Sequence, residues 1–245
     1  MVFFIGTTLL FLDFTGTLRH WIGWMAKVQF LPAVLALHAL VVVGLLLLTL
    51  LFGRIYSIIC PLGVFQDFAA RLGRMGKRHS YGYSPEKRLL RYTILVVFIA
   101  ALVAGIPAIY TLLAPYGSYG RMAQSLFQPV YELVNNLLAA GAERADSYAF
   151  YSTDIWMRSS LTFSVALITF FLVGFLAWRN GRTYCNTICP VGTFLSLFAR
   201  YSWFKVVFNP EKCRQCSACS KSCKAAAINF KQMTVDYSRC AIAVG

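Results

Sequence analysis

Four long runs of apolar residues dominate the chain, and polar or basic segments separate them. The runs cover residues 2–14, 30–52, 92–114 and 159–178. The last three have about the 20 residues that a helix needs to cross a bilayer core. The first run lacks the basic lead-in and the cleavage site of a signal peptide. We therefore interpret it as a transmembrane helix whose first residues are missing. The pattern predicts four transmembrane helices.

Basic residues fix the orientation that these four helices would have. Segment 53–91 carries eight Lys or Arg and segment 179–245 carries ten, whereas 15–29 carries two and 115–158 carries three against four acids. Cytoplasmic loops of membrane proteins are rich in Lys and Arg. We therefore expect both termini and segment 53–91 in the cytoplasm, and an outer loop at 115–158.

Composition agrees with a polytopic membrane protein. Hydrophobic residues make up 58% of the 245, which is too many for a typical soluble domain. The formal net charge of +14 would favour a nucleic-acid partner in a soluble protein, but here the basic residues flank apolar runs. Anionic lipid headgroups are the partners we predict, and no nucleic acid.

Two further membrane features are open to more than one interpretation. The outer loop contains an apolar pattern at 126–138 that predicts an amphipathic helix, and its aromatic residues are typical of an interfacial belt or of a quinone pocket. The belt residues are Tyr116, Tyr119, Tyr148, Tyr151 and Trp156. His38, inside the second run, is a candidate for a quinone or proton role or for a hydrogen bond to neighbouring backbone.

A sequence repeat lies at the cytoplasmic ends of the second and fourth runs. Gly53-Arg-Ile-Tyr-Ser-Ile-Ile-Cys60-Pro-Leu-Gly matches Gly181-Arg-Thr-Tyr-Cys-Asn-Thr-Ile-Cys189-Pro-Val-Gly, which is one residue longer. Proline suits the first position of a helix, and the apolar residues that follow recur at helical spacing. Each unit therefore predicts an apolar helix, a Cys-Pro break and an amphipathic helix in the headgroup region.

The cysteines of the repeat have a functional and a structural interpretation. Cys60, Cys185 and Cys189 would converge at the membrane surface as metal or redox thiols, and the second and fourth helices would pack as equivalent partners. Alternatively, cysteine serves there as a small apolar residue at a helix break. Repetition of the whole unit favours a function.

The most specific motif lies near the C-terminus, where Cys213, Cys216, Cys219 and Cys223 follow the spacing C-x₂-C-x₂-C-x₃-C. This is the spacing of bacterial iron–sulfur proteins. A zinc site is the alternative, but zinc usually takes two short cysteine pairs that lie far apart. Clustered thiols of this kind stay reduced in the cytoplasm and available to metals.

Paired Cys-Pro units on a four-helix core, followed by this motif, resemble the membrane polyferredoxins. That group includes quinol-dehydrogenase components of nitrate and nitrous-oxide reductase systems and the copper reductase of cytochrome-oxidase assembly. The likeness extends to Ile59-Cys60-Pro61-Leu62-Gly63-Val64-Phe65-Gln66-Asp67 and Asp236-Tyr237-Ser238-Arg239-Cys240. The resemblance implies electron transfer between a membrane quinone pool or a partner and clusters on the cytoplasmic side.

The chain departs from that family in two places. The first Cys-Pro unit has Ser57 where the pattern has a cysteine, which leaves Cys60 alone. In two-cluster modules the fourth cysteine of each motif binds the other cluster, so Cys223 and Cys240 would be half of a second site. Ala243 stands where the next cysteine of that site is expected, and the abrupt end favours a truncated chain over a single cluster that recruits Cys223 or Cys240.

The prediction is an α-helical membrane protein of the bacterial inner membrane with a small α+β iron–sulfur module. Residues 1–203 form a four-helix transmembrane domain with repeat units at 53–73 and 181–200, and residues 204–245 form a ferredoxin-like module. One or two [4Fe–4S] clusters, held by Cys213, Cys216, Cys219, Cys223 and Cys240, would exchange electrons with a quinone or a redox partner such as a flavoprotein or reductase. The alternatives are copper or other metal handling at Cys60, Cys185 and Cys189, and a non-catalytic anchor or regulator.

Overall fold

The structure is a computed structural model of the 245-residue chain. It describes residues 2–13, 16–53, 56–76, 83–144, 152–153, 159–207, 216–230 and 232–240. Cys213, Arg54, Tyr148, Tyr151, Trp156 and Ala243 lie outside the described residues. The described part is mostly helical and ends in a small cysteine-bearing segment with one hairpin.

The first half of the chain contains nine helices in the part described. They are α1 (Val2–Leu12), α2 (Thr17–Ile22), α3 (Trp24–Lys27), α4 (Phe30–Leu35), α5 (Ala39–Phe52), α6 (Tyr56–Ile59), α7 (Pro61–Gly76), α8 (Arg88–Val103) and α9 (Pro107–Leu113). The first repeat unit corresponds to α5, α6 and α7.

The second half contains the outer-loop segment, the second repeat unit and the hairpin. Its elements are α10 (Pro115–Met122), a π-helical segment (Ala123–Phe127), α11 (Gln128–Arg144), α12 (Ser160–Asn180), α13 (Thr183–Thr187), α14 (Pro190–Ala199), α15 (Ala218–Ser222), β1 (Ile228–Asn229) and β2 (Thr234–Val235). The strands pair antiparallel, with Ile228 opposite Val235. The amphipathic helix predicted at 126–138 is confirmed as the end of the π-helical segment and most of α11.

The prediction of four transmembrane helices is not supported. Among the described residues, one helix, α12, has the length and hydropathy required to cross a bilayer. Its 21 residues extend about 31 Å, whereas the 11 residues of α1 extend only about 16 Å. The other two predicted spans are each divided into two helices.

The break in the second predicted span lies at Leu37, which has a left-handed φ of 53°. There the N–H of His38 donates to the Ala33 carbonyl at 2.9 Å, a bond that ends α4 before α5 begins. Helix α4 then packs back on α5. His38 lies at this break with its side chain exposed, outside a continuous helix.

The third predicted span breaks in the same way at Gly105, whose φ is 68°. The Ile106 N–H donates to the Ala101 carbonyl at 2.9 Å, and Pro107 begins α9 at the first helical position. Helix α9 packs back on α8. Apolar runs of 23 residues therefore become helical hairpins, because a left-handed residue closes the first helix early.

The two repeat units exchange their Cys-Pro helices. Helix α7 of the first unit packs along α12 of the second, and α14 of the second unit packs against α5 of the first. The prediction that the two long apolar helices pack as equivalent partners is corrected by this arrangement. The buried core lies between the units and includes Cys60, Leu62, Phe65, Tyr119, Met122, Val173, Tyr184, Cys189, Val191 and Leu195.

The beginning of the predicted outer loop belongs to this core. Tyr119 is completely buried, and its hydroxyl is 2.6 Å from that of Thr8, so it is not part of an interfacial belt. Helix α10 packs on α7 and α12, and the Tyr184 hydroxyl donates to the Leu113 carbonyl at 3.4 Å. Residues 113–122 therefore lie beside the second repeat unit instead of across a bilayer from it.

Candidate functional site

The two repeat units begin with the same backbone corner. Gly53 has φ 73° and ψ −148°, and Gly181 has φ 73° and ψ −134°. Each glycine N–H closes the preceding helix by donating to the carbonyl four residues earlier, at 2.9 Å in both cases. Residues other than glycine rarely adopt this backbone conformation, so glycine is required. We call Gly53 the first corner and Gly181–Arg182 the second corner.

After each corner, a cysteine begins a proline-led helix. The Cys189 thiol sulfur accepts a hydrogen bond from the Gly192 N–H at 3.3 Å, and Pro190 occupies the first helical position. Cys60 precedes Pro61 in the same way, and its carbonyl accepts from the Gly63 N–H at 3.1 Å. The Cys189 thiol therefore caps the N-terminus of its helix, where free N–H groups need an acceptor.

Cys60, Cys185 and Cys189 are buried and come together with Tyr56 and Tyr184 in what we call the thiol cluster. Burial, and then the nearby Cys185 and Cys189 thiols, raise the pKa of Cys60 well above its usual value. Burial and the three thiols also raise the pKa of Tyr184. The prediction that these cysteines converge agrees with the structure, and the burial of Cys60 favours its neutral thiol form.

The thiol cluster is not arranged as a site for a single metal ion. Among the described residues, no three His, Cys, Asp or Glu side chains are placed to hold a metal. Four sulfur ligands of one zinc ion lie within about 3.8 Å of one another, given Zn–S bonds near 2.3 Å. The metal role predicted for Cys60, Cys185 and Cys189 therefore lacks support from their geometry.

Polar groups from the first unit reach the second corner. The Gln66 side-chain amide donates to the Cys185 sulfur at 3.1 Å. Arg182 donates through Nε and Nη2 to the two carboxylate oxygens of Asp67, at 2.7 and 2.6 Å. Burial disfavours the Asp67 carboxylate, but Arg182 and then Lys224 outweigh it and lower its pKa. Gln66 and Asp67 are part of the motif that resembles the polyferredoxins, but the sequence analysis predicts no role for either residue.

The C-terminal cysteines lie on a small separate unit, residues 216–240, which we call the cysteine module. Cys216 and Cys219 are exposed, and Cys223 and Cys240 are partly exposed. Ser217, with a left-handed φ of 55°, turns the chain between Cys216 and α15. Cys219 and Cys223 are four residues apart, at the start and just past the end of that helical turn.

The donor set of the cysteine module fits an iron–sulfur cluster. Thiolates are the ligands of such clusters, and each binds a different iron atom, so they need not converge on one point. Cys216, Cys219 and Cys223 would bind through their sulfur atoms, as would Cys240 after the hairpin. When bound, the cluster supplies a one-electron redox couple.

The cysteine module contacts both corners. The Arg182 N–H donates to the Lys224 carbonyl at 3.1 Å, and the Asn186 side-chain amide donates to the Ala225 carbonyl at 2.8 Å. At the first corner, a β-carbon on Gly53 would lie 3.7 Å from the Cys240 carbonyl oxygen. The residues next to Cys223 and Cys240 therefore lie against the second and first corners, respectively.

A second set of contacts, which sequence reasoning missed, fixes the hairpin end of the module. Arg91 is almost completely buried, forms an ion pair with Glu86 and donates to the Ser196 hydroxyl at 2.7 Å and the Ser238 hydroxyl at 3.4 Å. Arg239 donates to the Ser84 carbonyl at 2.6 Å. The available signal was an arginine in the first turn of an apolar helix, but the sequence analysis counted Arg91 only as one of the basic residues that fix orientation.

Comparison with known protein families agrees with the presence of two Cys-Pro repeat units. A family described as "4Fe-4S binding domain" matches residues 34–78 and 161–210. These two segments contain the two Cys-Pro repeat units, with Cys60 in the first and Cys185 and Cys189 in the second. The match therefore associates the repeat itself, and not only the later cysteine motif, with iron–sulfur proteins.

Curated relatives include two named "Methylamine utilization ferredoxin-type protein MauN". The one from Paracoccus denitrificans is 28% identical over 187 residues, which cover 74% of this chain and 53% of the relative. The one from Methylobacillus flagellatus is 27% identical over 192 residues, covering 76% and 55%. An uncharacterized protein of Methanocaldococcus jannaschii is 38% identical over 65 residues, 26% of each chain.

The chain spans about half the length of the MauN relatives. No solved structure matches it significantly. Together, the domain match and the ferredoxin-type relatives support a ferredoxin-type iron–sulfur protein that acts in electron transfer.

Proposed function

We propose that this chain is a membrane-bound iron–sulfur protein that passes electrons between the quinone pool, or a membrane partner, and [4Fe–4S] clusters on the cytoplasmic side. The observation that carries the proposal is the position of the cysteine module. Lys224 and Cys240 lie against the glycine corners that end α12 and α5, two helices with apolar outer faces. In this position, the cysteines of the module lie beside the ends of the apolar helices.

Exposed apolar side chains support the membrane part of the proposal. Large exposed hydrophobic side chains occur along α5, α8 and α12, among them Leu40, Leu47, Val96, Val103, Ile168, Phe171 and Phe175. No charged residue occurs from 92 to 120 or from 160 to 178. Apolar surface of this extent indicates contact with lipid or with another protein. Lipid is the occupant we propose, since α8 from residue 92 onwards and α12 up to residue 178 carry these apolar side chains with no charged residue among them.

The basic segments support a cytoplasmic module. Segments 53–91 and 179–245, with eight and ten Lys or Arg, contain the corners and the module itself. The contacts of Asp67 with Arg182 and of Arg91 with Ser238 bring the two segments together. The positive-inside rule then assigns both to the cytoplasmic face.

A quinol is the electron donor we propose because a membrane-bound chain has the quinol pool at hand. Oxidation of one quinol to quinone releases two electrons and two protons. A one-electron carrier accepts these electrons in two successive transfers, and the protons leave to water. The described residues hold the module against the two corners and keep the thiol cluster buried between the repeat units. The names of the MauN relatives connect those proteins with methylamine utilization; for this chain, we infer only the transfer of electrons.

The test uses the full chain, purified anaerobically and reconstituted into liposomes. We expect duroquinol to bleach part of the cluster absorbance, with dithionite as the reference for full reduction. The Cys216→Ser variant, which lacks a predicted ligand, should show much less absorbance in both conditions. A cluster that dithionite reduces and duroquinol leaves oxidised would exclude the quinol donor.

The same preparation tests the copper alternative. Stoichiometric Cu(I) binding that disappears in a Cys60→Ser, Cys189→Ser double variant, with the cluster spectrum intact, would favour metal handling, since thiolates select Cu(I). We expect no such binding, since the proposal assigns metal binding to the cysteine module.

A further inference from the structure

Three charged side chains from three separate parts of the chain meet at the second corner. Asp67 comes from α7 of the first repeat unit, Arg182 from the corner itself and Lys224 from the cysteine module. The Arg182 Nη2 and Lys224 Nζ atoms lie 2.6 and 3.3 Å from the same carboxylate oxygen, Oδ2 of Asp67. We call this group the charged triad. It connects the two repeat units and the module through one carboxylate.

Partial burial strengthens the electrostatic interactions within the charged triad. The Arg182 and Asp67 side chains are 13% and 22% exposed, and that of Lys224 is 42% exposed. Charges removed from water interact more strongly and are screened less by salt. The two cations and the one carboxylate leave a net charge of +1 at the edge of the module.

The triad is also linked to a predicted cluster ligand and to the thiol cluster. Lys224 directly follows Cys223, and its carbonyl accepts the Arg182 N–H at 3.1 Å. Arg182 also interacts electrostatically with the Cys185 and Cys60 thiols. The corresponding position at the first corner differs, because Ser196 takes the place of Asp67 in the second unit and contacts Arg91.

We infer that Arg182 is a positioning residue that, with Asp67 and Lys224, sets the midpoint potential of the cluster bound through Cys223. The inference rests on the proposed iron–sulfur function and adds a residue that tunes it. Net charge and hydrogen bonding around the ligand sulfurs are established determinants of iron–sulfur potentials. A buried positive charge stabilises the more negative, reduced form of the cluster and therefore raises its potential.

The experiment is a potentiometric titration of the anaerobically purified full chain, followed by EPR. Arg182→Gln removes a cation and should shift the midpoint potential to more negative values. Asp67→Asn removes the anion and should shift it to more positive values. Arg182→Lys keeps the charge and should stay close to wild type. The double variant Asp67→Asn, Arg182→Gln restores the net charge and should also lie near wild type.

Lys27→Gln is the matched control, because it removes an exposed cation on α3, an element with no substantial packing against the module. It should leave the potential unchanged. If Arg182→Gln and Asp67→Asn shift the potential in the same direction, or not at all, the triad is only a structural link and the inference is wrong. Absence of iron and sulfide from the wild-type protein would instead contradict the proposed function itself.

Discussion

The two repeat units have the same local structure but very different surroundings. Both have a positive-φ glycine, a buried tyrosine three residues later and a buried cysteine before proline. Tyr56 donates to the Gln29 side chain at 3.1 Å, within the first half of the chain. Tyr184 donates to the Leu113 carbonyl, and its corner carries an additional thiol, Cys185.

The difference arises because the units exchange helices. Each corner receives the side chains that the other unit's Cys-Pro helix presents. Helix α7 presents Gln66 and Asp67 to the second corner, while the matching positions of α14 are Leu195 and Ser196. One corner is therefore charged and hydrogen-bonded. The repeated sequence gives both units the same backbone conformation. The sixth and seventh residues after Cys60 and Cys189 make the surroundings of the two units different.

The largest effect that we predict concerns thiol reactivity in the first unit. Burial and neighbouring thiols raise the pKa of Cys60, so little of it is thiolate at pH 7. Since the thiolate is the nucleophile, Cys60 in the folded protein should react with iodoacetamide roughly 100-fold more slowly than in SDS-unfolded protein. The rate should increase as pH rises from 7 to 9. Peptide mass mapping measures both rates, and equal rates would mean that Cys60 is accessible.

A smaller effect is expected at the corner glycines. Gly53→Ala and Gly181→Ala should each lower the free energy of unfolding by about 1–3 kcal/mol, because both positions have a backbone conformation unfavourable for alanine. Gly141→Ala, on an open face of α11, should be neutral or stabilising by up to about 1 kcal/mol. Detergent-based thermal unfolding compares the three. A cost at one corner only would show that the corners are not equivalent.

The smallest effect should come from Gln66→Leu, which makes the second corner resemble the first. The substitution removes the hydrogen bond to Cys185 but also a buried side-chain oxygen that has no partner. These changes partly cancel, so we expect a cost of about 1 kcal/mol or less. Cys185 alkylation should become faster in the same variant. A loss several times larger would assign Gln66 a role beyond this one bond.

The repeat, its Cys-Pro breaks and the convergence of Cys60 with Cys185 and Cys189 could be predicted from sequence. Proline limits the backbone wherever it occurs, and the repeat itself implied that the cysteines converge. The prediction from hydropathy was wrong for the second and third apolar runs, because it assumed that each run forms one continuous helix. Gly105 followed by Pro107 was a readable stop signal. Leu37 was not, since nothing in its residue type predicts a left-handed conformation.

The partners across the units could not be predicted either. Asp67 with Arg182 and Arg91 with Ser238 are separated by 115 and 147 residues. Only the exchange of α7 and α14 brings the first pair together, and no local pattern encodes that exchange. The cysteine spacing, by contrast, predicts its own chemistry because four cysteines lie within eleven residues of the sequence.

The iron and acid-labile sulfide content of the anaerobically purified chain tests the central claim most directly. The claim is that cysteines held at the ends of two exchanged repeat units bind an iron–sulfur cluster. We predict iron and sulfide in near-equal amounts, a brown colour, and their loss in Cys216→Ser. Stoichiometric zinc without sulfide would contradict the account.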